Sequence, residues 1–236
     1  MQSVVLRIDE LQFQTKEAYK TLRSNIEFSG DDMRVIAITS SMPNEGKSEV
    51  SYELAASFAE NGAKVLLIDA DMRKSVLQSR VLKGEIQNGL SNCLVGKCQA
   101  DDAMCKTNLE NLYIIFAGPS TPTPSELLGS ERFTRLLQGA KRRFDYVIID
   151  TPPIGSVIDS AIVGGKSDGT VLVVGSGKIS YRMAQDSLRQ LYAANCRMIG
   201  CVLNNIKMGS SGYGRGKYYS SYYYRYYNYY RGNYGK

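Results

Sequence analysis

A loop at residues 39–48 joins an apolar run to an amphipathic segment. The generic phosphate-binding pattern is Gly-x-x-x-x-Gly-Lys-Ser/Thr between a strand and a helix, and here Ser41 stands at the first glycine position. In such a loop, backbone N–H groups surround phosphates, Lys47 balances their charge and Ser48 binds magnesium. We therefore predict a nucleotide site, and the alternative is a tight turn without a ligand. The predicted nucleotide-contacting residues of this region are Ser41, Pro43, Asn44, Glu45, Gly46, Lys47, Ser48 and Glu49.

Continuous Val/Ile/Leu runs alternate with amphipathic stretches along the chain. This alternation is typical of a parallel sheet that is covered by helices on both faces. The predicted fold class is therefore α/β with a mostly parallel sheet. Together with the phosphate loop, the pattern resembles the P-loop NTPase fold, to which a flexible C-terminal tail is added. The predicted strands are residues 34–39, 64–69, 111–116, 146–150, 170–174 and 198–203, and the predicted helices are residues 8–28, 47–61, 130–144 and 181–194.

The first predicted helix, residues 8–28, has one apolar stripe. The stripe consists of Leu11, Ala18, Leu22 and Ile26. We assign residues 1–30 to an N-terminal helical segment, residues 31–208 to the P-loop domain and residues 209–236 to a tail.

Three aspartates follow apolar strands. Asp69 and Asp71 end the second predicted strand, and Asp150 ends another. Since the carboxyl ends of parallel strands share one edge of a sheet, all three are expected beside the phosphate loop. Each aspartate alone would be an ordinary strand end or helix cap, but together they indicate magnesium and phosphoryl chemistry.

Composition excludes several other kinds of site. Histidine is absent, which removes Ser-His-Asp and Cys-His catalysis and histidine metal sites. No apolar run approaches the roughly 18 residues of a membrane span, and no signal peptide pattern is present, so we expect a cytoplasmic chain without its own anchor. No Cys-x-x-Cys pair occurs, so reduced thiols are expected rather than a zinc or redox site. The five cysteines are Cys93, Cys98, Cys105, Cys196 and Cys201.

The positive charge is concentrated at the C-terminus. From Tyr213 onward the chain has five Lys and Arg, no Asp or Glu, and 11 of its 17 tyrosines. The net charge of +6 is thus +5 in these 24 residues and +1 in the preceding 212. The segment has no apolar periodicity, so we predict a disordered or conditionally ordered tail.

Four segments and the tail together resemble the bacterial tyrosine kinases of capsule and exopolysaccharide synthesis. The segments are the loop at residues 41–48, LLIDADMR at 66–73, TPSELLGSERF at 123–133 and VIIDTPP at 147–153. The resemblance extends from about residue 17 to residue 205 and includes the tyrosine cluster. It implies an ATP- and Mg²⁺-dependent protein-tyrosine kinase on the P-loop NTPase fold.

The resemblance also implies roles for individual residues. Lys47 and Ser48 would serve phosphate and magnesium, while Asp71 and Asp150 would hold the metal and its waters. Asp69 would lie closest to the incoming tyrosine hydroxyl, as a base or a metal ligand. The implied acceptors, in the tail of a neighbouring subunit, are Tyr213, Tyr218, Tyr219, Tyr222, Tyr223, Tyr224, Tyr226, Tyr227, Tyr229, Tyr230 and Tyr234.

Assembly and partners are implied in the same way. The family's oligomerisation pattern Glu-x-x-Arg-x-x-Arg corresponds here to Glu17, Lys20 and Arg23, and the alternative for these residues is a solvated helix face. The expected partners are further copies in a ring, a separate transmembrane activator that recruits the kinase to the inner face of the membrane, and a cognate tyrosine phosphatase.

Some assignments stay open at this level. Asn204 and Asn205 follow the last predicted strand, where related NTPases contact adenine, but polar residues commonly end strands. A partitioning-type ATPase switch on the same fold is one rival function, although that group has a second lysine where this chain has Met42. A nucleic-acid-binding arm is another, since arginine and tyrosine in the tail can pair with phosphates and stack on bases. We favour the kinase.

Overall fold

The structure is a computed structural model, and it describes residues 2–206. Its strands are β1 (Gln2–Ser3), β2 (Val5–Leu6), β3 (Val35–Ser40), β4 (Val65–Asp69), β5 (Val81–Lys83), β6 (Met104–Lys106), β7 (Leu112–Ile115), β8 (Tyr146–Asp150), β9 (Gly169–Gly175) and β10 (Met198–Asn204). Its helices are α1 (Phe13–Glu27), α2 (Lys47–Glu60), α3 (Leu90–Leu94), α4 (Ala100–Ala103), α5 (Pro124–Gly129), α6 (Glu131–Arg143), α7 (Asp159–Gly164) and α8 (Tyr181–Ala193), with a 3₁₀ turn at Leu77–Arg80.

Eight strands form one sheet in the order β1-β6-β7-β4-β8-β3-β9-β10. Only β6 and β7 pair antiparallel within this sheet, while β2 and β5 form a separate antiparallel pair. The central strands β4, β8 and β3 are parallel neighbours, so their carboxyl ends meet at one edge. The predicted α/β class with a mostly parallel sheet is confirmed.

Both faces of the sheet are covered because successive side chains of a strand point to opposite sides. On β3, Ile36 packs in one buried cluster with Phe58 of α2. Its neighbour Val35 packs in a second cluster with Phe133 of α6. The continuous apolar runs in the sequence reflect strands that are buried on both faces.

The N-terminal region differs from its prediction. Helix α1 begins at Phe13 rather than at residue 8, because the backbone before it is extended and bonded elsewhere. The amide of Arg7, for example, donates to the carbonyl of Arg80 at 2.7 Å. The predicted stripe is also wrong at Ala18, which is exposed, whereas Tyr19 packs against the core at one helical spacing from Leu22.

Several short elements were not predicted. Strands β1, β2, β5 and β6 have two or three residues each, which is too short for a periodic pattern. Within residues 2–206, none of the helices has both the length and the apolar character that crossing a membrane requires. The predicted tail and its tyrosines lie outside the described residues, so the proposed boundary at 208/209 stays a prediction.

Candidate active site

The phosphate loop connects β3 to the N-terminus of α2, as the sequence predicted. Gly46 directly precedes the helix with φ 89°, and Asn44 has φ 65°. Glycine adopts this left-handed region freely and asparagine tolerates it, so the loop can turn sharply and present its backbone N–H groups. The helix N-terminus adds positive dipole charge, which makes this place an anion site.

Glu45 holds the loop in shape. Its carboxylate is fully buried and accepts hydrogen bonds from the amides of Met42 at 2.7 Å and Gly175 at 2.9 Å. The side chain of Asn204 donates to the Glu45 carbonyl at 3.0 Å. Glu45 therefore links the loop to the ends of β9 and β10, and its side-chain oxygens are occupied within the protein.

Lys47 lies between two carboxylates at the sheet edge. Its Nζ is 3.0 Å from Asp71 Oδ2 and 3.6 Å from Asp150 Oδ2, and it donates to Ser48 Oγ at 3.1 Å. Burial alone would lower the pKa of Lys47, but the charges of Asp150 and Asp71 outweigh it, so the pKa is raised. Lys47 is thus a largely buried side chain whose charged form is favoured by the two carboxylates.

Asp69 and Asp150 are direct neighbours across the β4–β8 pair, and both are buried. Burial, together with the charge of Asp150, raises the pKa of Asp69 to about 7. Burial also raises the pKa of Asp150, although Lys47 opposes the shift. Ser75 donates to Asp69, and Ser51 donates to Asp150 at 3.2 Å. A carboxyl group that titrates near neutrality is suited to accepting a proton.

The same edge offers ligands for a magnesium ion. Ser48, Asp71 and Asp150 present a hydroxyl and two carboxylates, which are the oxygen ligands that Mg²⁺ prefers. Burial raises the pKa of Asp150 by disfavouring its charged form, and a divalent cation would offset that cost. These residues fit the predicted metal.

The other predicted nucleotide contacts have different surroundings. Pro43 is exposed, while the Ser41 hydroxyl is buried without a hydrogen-bond partner among residues 2–206. The Asn44 carbonyl accepts a hydrogen bond from Lys178, and the Glu49 side chain pairs with Arg80. Asn205, the last predicted contact, is exposed with φ 58°.

The predicted oligomerisation residues share α1 but face two directions. Glu17 and Lys20 pair with each other at 2.7 Å on the exposed side. Arg23 instead donates to the Ser57 carbonyl of α2 at 2.8 Å and lies 3.7 Å from Glu27. Arg23 therefore contributes to packing within the subunit, and an interface role for the three residues stays a prediction.

An ion pair beside the site was missed by sequence reasoning. The Arg73 guanidinium donates to both carboxylate oxygens of Asp159, at 2.8 and 3.1 Å, and to Ser125 Oγ at 3.1 Å. Ser125 in turn donates to Asp159 at 2.6 Å. These residues connect the segment after β4 to the starts of α5 and α7. Two of them lie in segments that carry the family resemblance, but nothing in their spacing indicated contact.

Comparison with known proteins agrees with this geometry. Residues 33–195 match the family model described as an AAA domain. The chain is 38% identical over 207 residues to "Tyrosine-protein kinase CpsD" of Streptococcus pneumoniae, which covers 88% of this chain and 91% of that protein. The kinase domain of Escherichia coli tyrosine kinase ETK superposes with a TM-score of 0.79 at 29% identity, covering 90% of this chain and 93% of that one. The cell-division ATPase MinD of Pyrococcus furiosus, at 22% identity, 75% and 74% coverage and a TM-score of 0.61, shares the fold alone.

Proposed function

The chain belongs to the bacterial tyrosine-protein kinases, and from this premise we propose that it phosphorylates tyrosines in its own C-terminal tail, between subunits. The proposed biological role is regulation of capsular or extracellular polysaccharide synthesis and export. The proposed phosphoryl donor is ATP with Mg²⁺, consistent with the nucleotide-binding P-loop fold.

The observation that carries this proposal is the set of charges at the carboxyl edge of the sheet. Lys47 lies within 3.6 Å of both Asp71 and Asp150, at the N-terminus of α2. Asp69 is the adjacent carboxyl group on β4 and has a pKa of about 7. Phosphoryl transfer depends on positioning and charge stabilisation, and this cluster supplies groups for both.

In the proposed reaction, the loop N–H groups and Lys47 bind the outer phosphates of ATP. Asp69 accepts the proton of the incoming tyrosine hydroxyl as the tyrosine oxygen bonds to the γ-phosphorus. The bond from that phosphorus to the bridging oxygen breaks, and ADP leaves. Mg²⁺, held by Ser48, Asp71 and Asp150, would neutralise charge on the phosphate oxygens.

The proposed acceptors are the 11 tail tyrosines, which outnumber all other tyrosines of the chain. The proposed partners are a second copy, a transmembrane activator of the export machinery and a tyrosine phosphatase. Membrane recruitment through the activator belongs to the same proposal.

The central test is incubation of the full chain with Mg²⁺ and ATP, with and without the activator's cytoplasmic segment. Modified residues are then mapped by mass spectrometry. We expect phosphate on tyrosines between residues 218 and 234. ADP release without labelled tyrosine would favour the partitioning-type switch, and salt-sensitive RNA binding by the tail would favour the nucleic-acid function.

Two variants connect the activity to the site. Lys47→Met and Asp150→Asn should reduce tail labelling by about 100-fold or more, since each removes a group that acts on transition-state charge. Lys83→Met, at an exposed lysine, is the matched control. Circular dichroism should show that all three variants are folded, and normal labelling in either site variant would contradict the assignment.

A mixing experiment tests transfer between subunits. A chain that ends at Met208 keeps the proposed catalytic residues but has no tail tyrosine. It should phosphorylate the tail of the full-length Lys47→Met variant. Absence of label on that variant, with both proteins folded, would exclude transfer between subunits.

A further inference from the structure

Two cysteine side chains meet at the turn between α3 and α4, outside the active site. The Sγ atoms of Cys93 and Cys98 are 3.3 Å apart. A disulfide needs about 2.05 Å between its sulfur atoms and a specific geometry, so most sequence pairs of cysteines cannot form one without backbone movement. Here the two sulfur atoms are already in contact while both residues are reduced.

The backbone of the turn brings the two cysteines together. Gly96 has φ 84°, and its amide donates to the Cys93 carbonyl at 3.0 Å. The amide of Lys97 donates to the Asn92 carbonyl at 2.9 Å. This pattern ends α3 with a left-handed glycine and reverses the chain, which returns Cys98 to the side of Cys93. The Cys93 thiol also contacts the Gln99 carbonyl at 3.4 Å.

The two thiols differ in their access to solvent. Cys93 is only 8% exposed, and burial raises the pKa of its thiol to about 12. Cys98 is half-buried, so a small solute reaches Cys98 first. Such a pair has the arrangement of an accessible thiol beside a resolving thiol.

The other three cysteines have no sulfur partner among residues 2–206. Cys105 and Cys196 are buried beside backbone carbonyls, whereas Cys201 is exposed on β10. Oxidation of any of these cysteines would modify that residue alone or form a disulfide between separate chains. Among residues 2–206, an intramolecular disulfide is therefore expected only between Cys93 and Cys98.

We propose that Cys93 and Cys98 form a reversible dithiol–disulfide site whose oxidant is a peroxide. The Cys98 thiol releases its proton and attacks one peroxide oxygen, the O–O bond breaks, and Cys98 becomes a sulfenic acid while the other oxygen leaves as hydroxide, which takes up that proton to give water. The Cys93 sulfur then attacks the Cys98 sulfur, the S–O bond breaks, and the second oxygen leaves as water with the Cys93 proton. Both sulfurs are oxidised, the peroxide is reduced to two waters, and an external thiol reverses the reaction.

The turn is connected to the segment that precedes α5. The amides of Leu90 and Ser91 on α3 donate to the carbonyls of Phe116 and Ala117, and Ser91 Oγ donates to the Pro119 carbonyl at 2.8 Å. This segment leads to Ser125, which bonds to Asp159 beside the active site. The disulfide would thus fix a turn that supports, but does not touch, the catalytic edge.

The test uses the full chain, which is reduced, freed of reductant and exposed to hydrogen peroxide. Remaining thiols are blocked with N-ethylmaleimide before digestion with trypsin, which cleaves after Lys83, Lys97 and Lys106. Peptides 84–97 and 98–106 should appear as one linked species, which is lighter by two hydrogens than the sum of the two peptides with one N-ethylmaleimide on Cys105. Treatment with excess thiol should separate them.

Single cysteine variants test whether the disulfide joins Cys93 and Cys98. Cys98→Ser and Cys93→Ser should each abolish the linked species, and Cys105→Ser should retain it although Cys105 lies in the same peptide as Cys98. In Cys93→Ser, dimedone should trap the sulfenic acid on Cys98, a signal that a merely structural cysteine would not give. No linked species in the folded wild-type protein after complete peroxide reaction, or a link that survives in Cys98→Ser, would overturn the proposal.

Discussion

At the scale of single residues, Glu45 shows how a phosphate-binding loop can contain a buried negative charge. The loop is expected to bind anions, yet this carboxylate is fully buried within it. The backbone amides of Met42 and Gly175 donate hydrogen bonds to the carboxylate, which thereby fixes the conformation of the loop. The sequence predicted Glu45 as an ATP contact because it lies within the pattern. Only the folded chain brings Gly175, 130 residues away, to its side.

Replacing Glu45 should weaken nucleotide binding more than it slows the chemical step. Glu45→Ala leaves the buried Gly175 amide and the partly buried Met42 amide without acceptors, and each hydrogen bond to a charged group is worth about 1.5–3 kcal/mol. We expect KM for ATP to rise about 10- to 100-fold with a smaller change in kcat, measured by tail phosphorylation at varied ATP. Glu45→Gln, which keeps one acceptor oxygen, should have an intermediate effect.

Glu60→Ala provides the control for this prediction, because Glu60 is exposed at the other end of α2. Its kinetic constants should match those of the wild type. An unchanged KM in folded Glu45→Ala would show that the loop keeps its shape without the carboxylate.

At the scale of elements, Arg80 joins three parts of the chain. Its guanidinium pairs with Asp9 before α1 at 3.1 Å, with Glu49 on α2, and more distantly with Glu53 at 3.9 Å. It also lies 4.1 Å above the Tyr52 ring. The three carboxylates are close enough together to resemble a metal site, but the buried Arg80 already lies beside them and offsets part of their charge. Arg80 therefore fixes α2, which begins at the phosphate loop, to the N-terminal segment.

Removing Arg80 should destabilise the fold. Arg80→Met leaves acidic groups without their cation, and we expect the free energy of unfolding to fall by about 2–3 kcal/mol. This is less than the about 3–5 kcal/mol for a fully buried pair, because Asp9 and Glu49 keep access to water. Urea unfolding followed by circular dichroism measures the change.

Arg135→Met is the matched control, since Arg135 pairs with Glu131 at the surface, where both side chains are more than two-thirds exposed. Exposed pairs contribute little, so this variant should unfold like the wild type. Equal urea midpoints for the two arginine variants would show that Arg80 does not stabilise the packing of α2 against the N-terminal segment.

The same cluster predicts a pH dependence of stability. Burial, and then the charge of Glu49, raises the pKa of Glu53 to about 7, although Arg80 opposes the shift. Between the ordinary glutamate pKa and about 7, the unfolded chain releases a proton that the folded chain retains. Stability from this group is therefore lost as pH rises through that window. Glu53→Gln should remove the loss.

The measurement is the difference in thermal midpoint between Glu53→Gln and wild type at pH 5 and pH 8. The thermal midpoint of Glu53→Gln relative to that of the wild type should be higher at pH 8 than at pH 5. Glu60→Gln, at an exposed position of the same helix, should show no such shift. A difference that is constant with pH would place the pKa of Glu53 near its ordinary value.

At the scale of the whole molecule, charge is divided between two parts of the sequence. The first 212 residues carry +1, and the tail, which lies outside the described residues, carries +5. Each phosphotyrosine adds about −1.5 to −2 at neutral pH, so roughly three of them cancel the tail charge. On the proposed function, an unmodified tail is attracted to the acidic edge of a neighbouring active site, and a phosphorylated tail is repelled.

We therefore expect phosphorylation to loosen the assembly. Light scattering on the protein before and after incubation with ATP and Mg²⁺ should show a smaller average mass afterwards. The Lys47→Met variant with the same additions should keep its size, which controls for direct effects of the nucleotide. An unchanged mass for fully phosphorylated protein would contradict this charge mechanism without affecting the kinase assignment.

Much of the fold followed from local patterns. Buried strands such as β3 and β8 have continuous apolar sequences, which made them recognisable. The alternation of strands and helices is compatible with only a few sheet topologies. The short strands and the start of α1 did not follow, because their pairing partners are distant in sequence. Strand β1, for instance, pairs with β6 about 100 residues later.

The sequence by itself determined the α/β class, the phosphate loop and the edge that Asp69, Asp71 and Asp150 share, since these depend on residue order and strand direction alone. Tertiary structure decided what each side chain does there. It placed Lys47 between Asp71 and Asp150, turned Glu45 and Arg23 inward, and brought Arg73 to Asp159. The physical reason is that hydrogen bonds and burial depend on distances across the fold, which no local pattern encodes.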